Sequence, residues 1–279
     1  MFIRNETFSS YIRKFPIVSG IIALTVFIHF ILLLLPSGFY FRYLGIGLNS
    51  GIEAGEYWRL VTPIFLHGDL FHLIFNMGAL LIFAPALEGM LGRFKFALIY
   101  LIPGILANVA TYFLEGSTYS HVGASGSIFG LFGVFLFMYL YRNDLMDRQS
   151  AQAFLPILII SLIMTFINSR INVLGHLFGL GFGVLFAPLF LKGARPLHTL
   201  YAMSRSRKTY IDDDDVSFNP NRWKTDNEIQ NKRLRSSLEP LLSSFYFIFS
   251  FPQRIIRCFV SRTIFLIHFS IAKELSAYV

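Results

Sequence analysis

The chain has 279 residues, of which 54% are hydrophobic and only 14% are charged. A soluble domain carries about 25% charged residues, so this chain lacks the polar surface that a water-soluble fold requires. Its long apolar runs exclude a disordered chain, and its net charge of +8 comes without the dense basic patch of a nucleic-acid-binding protein. The composition therefore predicts an all-α polytopic membrane protein, with the lipid bilayer around it and no nucleic acid as a partner.

Six segments approach the length of about 20 apolar residues that a helix needs to cross a bilayer. The first is too long for a cleavable signal peptide, and Pro36-Ser37-Gly38 after it is a poor cleavage site. We therefore predict a bundle of six transmembrane helices within residues 1–195. The predicted spans are residues 16–35, 70–87, 94–114, 125–141, 154–168 and 173–191.

The basic residues between the spans predict the orientation of the chain, because Lys and Arg are retained on the cytoplasmic side. With the N-terminus inside, the inner segments hold nine basic residues and the outer segments hold three. Both termini are therefore predicted in the cytoplasm, with the long loop of residues 36–69 outside. The inner residues are Arg4, Arg13, Lys14, Arg93, Lys95, Arg142, Arg148, Lys192 and Arg195, and the outer ones are Arg42, Arg59 and Arg170.

The composition changes after residue 195. Residues 196–240 are polar, which predicts a flexible cytoplasmic tail. In residues 255–271, basic and apolar side chains occupy opposite sides of a helical wheel. This pattern favours an amphipathic segment on the inner membrane surface, within residues 241–279, over a seventh span. The single cysteine, Cys258, has no partner for an intramolecular disulfide or a thiolate metal cluster.

Polar side chains inside membrane spans are costly and often mark functional sites. The predicted spans contain no aspartate, and the sequence contains no His-Glu-x-x-His. This inventory rejects an intramembrane aspartyl protease and a zinc protease, and it disfavours a proton-coupled carrier. His29 and Asn108 have no reactive neighbour in sequence, and we interpret them as packing or interfacial residues. No metal and no cofactor is predicted. The reactive side chains that remain in the spans are a serine hydroxyl and histidine imidazoles.

Ser125 begins the fourth span in the run Gly123-Ala124-Ser125-Gly126. A serine oxygen is a weak nucleophile until a neighbouring base takes its proton, and free N–H groups at a helix start favour developing negative charge. His176 at the start of the sixth span is the candidate base. Glycines spaced four apart on both spans would bring the two helices together, namely Gly126 and Gly130 on one and Gly175, Gly179 and Gly183 on the other.

His72 and Asn76 lie four residues apart, on one face of the second span. Imidazole and amide donors of this kind stabilise the oxyanion formed during acyl transfer. Each of these features alone is more often a matter of packing, since glycine ladders join helices and helix serines usually bond their own backbone. Together, at one membrane depth, they favour nucleophilic catalysis.

These residues resemble those of the rhomboid family of intramembrane serine proteases. The resemblance covers residues 10–195 and rests on Trp58-Arg59, His67-x4-His72-x3-Asn76, Gly123-Ala124-Ser125-Gly126 and His176-x2-Gly179-x3-Gly183. It implies a Ser125–His176 dyad without an acidic third member. It also implies an oxyanion hole of His72, Asn76 and the Ser125 backbone N–H, with Gly123 near the substrate backbone. Trp58 and Arg59 resemble the family's structural loop pair, and Phe129 replaces a tyrosine found in many bacterial members.

The predicted function is therefore hydrolysis of peptide bonds in or beside the transmembrane segments of membrane-protein substrates. The site should open outward beneath the first outer loop and the loop of residues 115–122, which we expect to be mobile. Two alternatives are a non-catalytic rhomboid-like protein that binds membrane clients and a small transporter. The presence of both Ser125 and His176 disfavours the first, and the lack of an internal repeat disfavours the second. The sequence specifies no oligomeric state.

Overall fold

The computed structural model describes residue 2, residues 7–167, residues 171–194 and residue 196. The predicted cytoplasmic tail and amphipathic segment lie outside the described residues, apart from residue 196. The described chain is mainly helical. Its elements are α1 (Phe8–Lys14), α2 (Pro16–Leu34), α3 (Gly38–Gly45), β1 (Gly47–Leu48), α4 (Asn49–Glu53), two 3-10 helices (Tyr57–Leu60 and Thr62–Phe65), α5 (Leu70–Leu91), α6 (Arg93–Leu114), β2 (Ser120–His121), α7 (Ser125–Tyr141), α8 (Arg148–Ile167) and α9 (Val173–Phe190).

Within the described residues, five helices are long and apolar enough to cross a bilayer, namely α2, α5, α6, α8 and α9. Helix α7 has the predicted bounds, but its 17 residues make it shorter than the others. At a rise of about 1.5 Å per residue, α7 is about 25 Å long, or about 7 Å shorter than a 22-residue helix such as α5 or α6.

Helix α7 lies at the centre of the bundle. Every side chain from Ser127 to Phe135 is buried, and α6 and α9 pack against it. Helices α2 and α8 are peripheral, because few of their side chains are buried; Leu34 and Ile167 are 78% and 70% exposed. Apolar side chains exposed along a whole helix are typical of a surface in contact with lipid.

Glycines allow α7 and α9 to approach backbone to backbone. A Cβ atom added to Gly179 would overlap the carbonyl oxygen of Gly126, and one added to Gly183 would overlap that of Gly130. The predicted contact between the two glycine faces is therefore confirmed. Such close approach is how membrane helices gain packing energy, since lipid provides no hydrophobic drive for their association.

The start of α2 and the end of α5 are both predicted on the cytoplasmic side of the membrane. In the structure, Glu88 joins these two helix ends. Its carboxylate accepts hydrogen bonds from the backbone N–H groups of Ile17 (3.0 Å) and Val18 (2.9 Å). These N–H groups lie in the first turn of α2 and have no partner within the helix. Glu88 therefore caps α2 from a different helix. Helix α5 ends at Gly92, whose φ of +79° lets the chain turn directly into α6.

The connection between α2 and α5 is a folded unit. Arg59 is 2% exposed and donates hydrogen bonds to the carbonyl oxygens of Tyr43 (2.7 Å) and Ile46 (2.9 Å), while pairing with Glu56. Trp58 Nε1 donates to the Leu44 carbonyl at 3.1 Å. These bonds hold one part of the connection to another, which agrees with the structural role expected of Trp58 and Arg59.

The loop between α6 and α7 is tied to this connection. Strands β1 and β2 pair antiparallel, with Gly47 opposite His121. Ser50 N donates to the Ser117 carbonyl at 2.8 Å, and Ser117 Oγ donates to Glu53 at 2.8 Å. These bonds anchor the loop of residues 115–122, which the sequence predicts to be mobile, at several points. The short strand pair is also the one departure of the described residues from a purely helical fold.

Candidate active site

The predicted nucleophile, Ser125, is the first residue of α7 and is partly buried. The chain enters this helix through Gly123, which has a φ of +129° and whose N–H donates to the Pro63 carbonyl at 2.9 Å. The first backbone N–H groups of α7 have no carbonyl partners within the helix. Ser125 therefore lies where a backbone donor and the positive end of the helix dipole are both available.

Gly123 brings the start of α7 against His72. A Cβ atom built on Gly123 would lie 2.7 Å from both Cε1 and Nε2 of the His72 ring and 3.7 Å from Ser125 Oγ. The imidazole of His72 and the hydroxyl of Ser125 therefore border one small space. A side chain at position 123 would fill this space and would also strain the backbone, so glycine is required there on two grounds.

His72 and Asn76 lie in the first two turns of α5. Asp69 precedes the helix, and its Oδ1 accepts a hydrogen bond from His72 N at 2.8 Å, which fixes the first turn. Asn76 is 7% exposed and donates one amide N–H to the His72 carbonyl at 3.1 Å. Its second amide hydrogen remains for another acceptor, as an oxyanion donor requires.

The predicted base, His176, is 7% exposed and lies in the first turn of α9. Its ring stacks on Phe129, with centroids 4.2 Å apart and planes inclined by 20°. The phenylalanine at this position therefore provides a stacking surface for the His176 ring. The Nδ1 atom of His176 lies 2.8 Å from Thr165 Oγ1 on α8, in a buried hydrogen bond.

Packing brings Ser125 and His176 to the same end of the α7–α9 contact. Phe129 follows Ser125 by one helical turn and carries the His176 ring on its face. A Cβ atom on Gly126 would lie 3.5 Å from the Gly175 carbonyl oxygen. The residue after Ser125 is therefore in contact with the residue before His176. Within the described residues, no hydrogen bond joins Ser125 to His176. Catalytic hydrogen bonds often tighten only when substrate is bound.

Several residues that the sequence analysis missed hold the site in place. Asn172 caps α9, accepting a hydrogen bond from Gly175 N at 2.8 Å, and its Nδ2 donates to Thr111 Oγ1 on α6 at 3.1 Å. Asp69 caps α5, and Thr165 contacts His176. The two caps had a readable signal, since Asp or Asn just before an apolar run is a typical helix start. Thr165 had none, because a threonine inside an apolar run usually only bonds its own backbone.

His67 marks the edge of the site outside the spanning helices. It is 2% exposed, and its ring meets the edge of the His72 ring with centroids 5.0 Å apart. Burial, and next the proximity of His72, lowers the pKa of His67 to about 3. His67 is therefore neutral at physiological pH and adds no positive charge beside His72. In the described part of the chain, no group of three or more His, Cys, Asp or Glu side chains is arranged to hold a metal ion.

Comparison with known proteins finds one family and a set of relatives. The family description, Rhomboid domain, matches residues 54–193. The protein YdcA of Bacillus subtilis (strain 168), whose name assigns it provisionally to the rhomboid proteases, is 47% identical over 186 residues, which cover 66% of this chain and 94% of YdcA. Rhomboid protease GluP of the same strain is 42% identical over 132 residues, or 47% of this chain and 26% of GluP.

A more distant relative, Rhomboid-like protease 2 of Toxoplasma gondii, is 30% identical over 140 residues, which make up 50% of each chain. The matched residues 54–193 begin in the folded connection before α5 and end just after α9. They include every helix that carries a candidate site residue. The chain belongs to the rhomboid family of membrane proteins.

Proposed function

We propose that this protein is an intramembrane serine endopeptidase that cleaves the transmembrane segments of membrane-protein substrates. The observation that carries the proposal is the meeting of three helix starts around Ser125. His72 borders the same space as the Ser125 hydroxyl. His176 stacks on the ring of Phe129, which follows Ser125 by one helical turn. Relatives named as proteases support the same reaction class.

In the proposed reaction, Nε2 of His176 takes the proton of Ser125 Oγ as this oxygen attacks the substrate carbonyl carbon. The carbonyl oxygen becomes an oxyanion, which accepts hydrogen bonds from His72, Asn76 and the Ser125 backbone N–H. The C–N bond then breaks, and His176 returns the proton to the leaving amine. Water, deprotonated by His176 in turn, hydrolyses the acyl-enzyme and regenerates Ser125.

The proposed membrane arrangement has six spans, including the short α7, with both termini in the cytoplasm. The starts of α5, α7 and α9 then lie at the outer end of the bundle, next to the folded connection between α2 and α5. Helix α7 is about 7 Å shorter than α5 and α6; in the proposed arrangement the missing length lies at its outer end, so Ser125 lies below the outer ends of its neighbours. Water would reach it from outside, beneath the anchored loops.

A substrate helix cannot be cut as it stands, because its carbonyl groups are hydrogen-bonded within the helix. We expect a segment to unwind locally and to lie in extended form beside Gly123, whose missing side chain leaves room for another backbone. Substrates should accordingly carry helix-destabilising residues near the cleaved bond, and the resemblance to the rhomboid family implies small side chains at the bond itself. No cofactor and no metal takes part in the proposed reaction.

The deciding experiment compares purified wild-type protein with the Ser125→Ala variant on a generic transmembrane substrate in detergent or liposomes. We expect wild-type protein to yield two fragments, whose masses locate the cleaved bond within or beside the membrane segment. Ser125→Ala protein of unchanged melting temperature should yield none. Equal cleavage by the two proteins would refute the proposal.

A second function is favoured by one observation, namely that Ser125 and His176 share no hydrogen bond within the described residues. A non-catalytic rhomboid-like protein that binds membrane clients would need no such bond. It would bind the same transmembrane substrate with equal affinity before and after Ser125→Ala and would release no fragment in either case. The cleavage assay above therefore separates the two functions directly.

A further inference from the structure

We propose that Thr165 is a positioning residue that fixes the tautomer of His176, so that Nδ1 carries the hydrogen and Nε2 is free to accept a proton. This inference rests on the proposed function of His176 as the base. It adds a third member to a site for which the sequence predicts only a dyad. That member is a neutral hydroxyl rather than an acid.

The direction of the Thr165 hydrogen bonds follows from its two partners. Thr165 Oγ1 lies 2.8 Å from the Ser161 carbonyl oxygen and 2.8 Å from His176 Nδ1. The carbonyl oxygen has no hydrogen to give, so the hydroxyl must donate to it. If the hydroxyl instead donated to His176, two oxygen atoms without a hydrogen between them would stand 2.8 Å apart. The hydroxyl oxygen is therefore the acceptor, and His176 Nδ1–H is the donor.

This bond determines what the other ring nitrogen can do. A neutral imidazole carries one hydrogen, so a hydrogen on Nδ1 leaves a lone pair on Nε2. The opposite tautomer would place a hydrogen on Nε2, and such a ring could not take the proton of Ser125. Once His176 is protonated, Nδ1–H becomes a charge-assisted donor to Thr165, and the bond strengthens as charge develops. Thr165 thus supports the transition state more than the resting enzyme.

The surroundings of Thr165 indicate that the hydroxyl is there for His176. Its side chain is fully buried, whereas the neighbours Met164 and Phe166 are 53% and 64% exposed. The other buried positions of α8 include Phe154 and Leu158, which belong to an apolar inner face. Valine has nearly the same shape as threonine and would fill this inner position equally well if packing alone were needed.

The ring of His176 is then held from two directions. Phe129 fixes the plane of the imidazole by stacking at 4.2 Å, and Thr165 fixes its rotation within that plane through Nδ1. Stacking alone would allow the ring to flip and exchange its two nitrogens. The two contacts together leave one orientation and one tautomer.

The test uses the full chain, three threonine variants, and one histidine variant for the assignment of the NMR spectrum. Thr165→Val removes the acceptor while keeping the shape, and Thr165→Ser keeps the acceptor. Thr25→Val makes the same change at another fully buried threonine, on α2, whose Oγ1 has no hydrogen-bond partner among the described residues. Each protein is measured for kcat and KM on a transmembrane substrate and by NMR of ¹⁵N-labelled histidine. A His176→Gln sample identifies the resonances of His176.

For wild type and Thr165→Ser, we expect the NMR signature of a hydrogen on Nδ1 and similar kcat values. Thr165→Val should show hydrogen on Nε2 or a mixture, with kcat lowered by about 10–100-fold and KM little changed. Thr25→Val should match wild type in both measurements. A hydrogen on Nε2 in the unaltered protein would overturn the inference, whatever the fate of the variants. So would wild-type kcat in Thr165→Val.

Failure of this inference differs from failure of the proposed function. If wild-type protein cleaves the substrate and Ser125→Ala does not, while Thr165→Val behaves as wild type, only the role of Thr165 is wrong. If Ser125→Ala cleaves as well as wild type, the proposed function is wrong. The tautomer measured in the unaltered protein still tests the hydrogen bond in that case.

Discussion

The backbone of Gly179 on α9 lies directly against the carbonyl group of Gly126 on α7, with no space for a side chain between them. Because Gly126 follows Ser125 in sequence, this contact sets the distance between the helix that carries the predicted nucleophile and the helix that carries the predicted base. The two glycines thus connect the packing of the bundle to its chemistry.

Gly179→Val should therefore lower both stability and activity. The added side chain must push the helices apart, at a cost of about 1–3 kcal/mol or more, and a displacement of about 1 Å at the site costs on the order of 100-fold in rate. Thermal unfolding and cleavage assays measure the two effects. Gly20→Val on α2 is the control, since nothing lies within 4 Å of a Cβ atom at that glycine. A Gly179→Val protein equal to the control in both assays would contradict the contact.

Ser125→Ala and His176→Ala should each reduce cleavage by about 1,000-fold or more, because one loses the nucleophile and the other loses the base that activates it. The melting temperature of Ser125→Ala protein should remain near that of wild type, since the hydroxyl makes no hydrogen bond in the described structure. Cleavage by either purified variant at more than a small fraction of the wild-type rate would remove that residue from the proposed mechanism.

Asn76→Ala should lower kcat by about 10–1,000-fold, because one oxyanion donor among several is lost. His72→Ala should act in the same way, with KM changing less than kcat in both. Steady-state kinetics on one transmembrane substrate provides the comparison. An effect confined to KM would instead assign these side chains to substrate binding.

The loops joined by β1 and β2 should lose stability in acid through His121, which lies in β2 outside the spanning helices. Burial lowers the pKa of this histidine to about 4, against 6.5 in the unfolded chain. Between these values the unfolded chain binds a proton that the folded protein does not, so the free energy of unfolding falls as the pH drops from 6.5 towards 4. Above pH 6.5 the contribution is complete and constant.

Melting temperatures at pH 7 and pH 5 test this linkage in wild type and in His121→Gln. Glutamine keeps a donor for Asn108, whose Oδ1 lies 3.1 Å from the His121 ring, but it does not titrate. The variant should lose less stability on acidification than wild type. His67 contributes in the same direction and leaves part of the dependence in both proteins. Equal losses would show that His121 is not buried as described.

The proposed orientation is testable by cysteine labelling in a Cys258→Ser background. An impermeant thiol reagent added to intact cells should label Ser50→Cys, which lies exposed in the connection between α2 and α5. It should not reach Ser204→Cys until the membrane is opened. The reverse pattern would overturn the orientation and the side on which product is released.

Hydropathy predicted the apolar part of each helix better than its ends. The predicted bounds of α7 were correct, because Gly123 precedes this mainly apolar segment and the charged Arg142 follows it. Helix α8 begins at Arg148, whereas the sequence predicted residue 154, because Asp147 accepts a hydrogen bond from Ser150 N and extends the helix into polar sequence. Helix α5 continues past the predicted end until Gly92 stops it.

The site could be predicted only where its residues stand in recognisable spacing. Ser125 and His176 were proposed because each stands next to a glycine in a span, and His72 and Asn76 because they are polar and spaced four apart on one span. Thr165 and the pairing of β1 with β2 depend on contacts between segments that are distant in sequence or separated by a turn. No local pattern of apolar and polar residues specifies such contacts.

The capping of α2 by Glu88 has a consequence for the biosynthesis of the protein. The chain emerges N-terminus first, so α2 is made about 70 residues before the carboxylate that completes it. During that interval the N–H groups of Ile17 and Val18 have only water or lipid headgroups as partners. Helix α2 therefore receives its final set of hydrogen bonds only when the end of α5 that carries Glu88 arrives beside it.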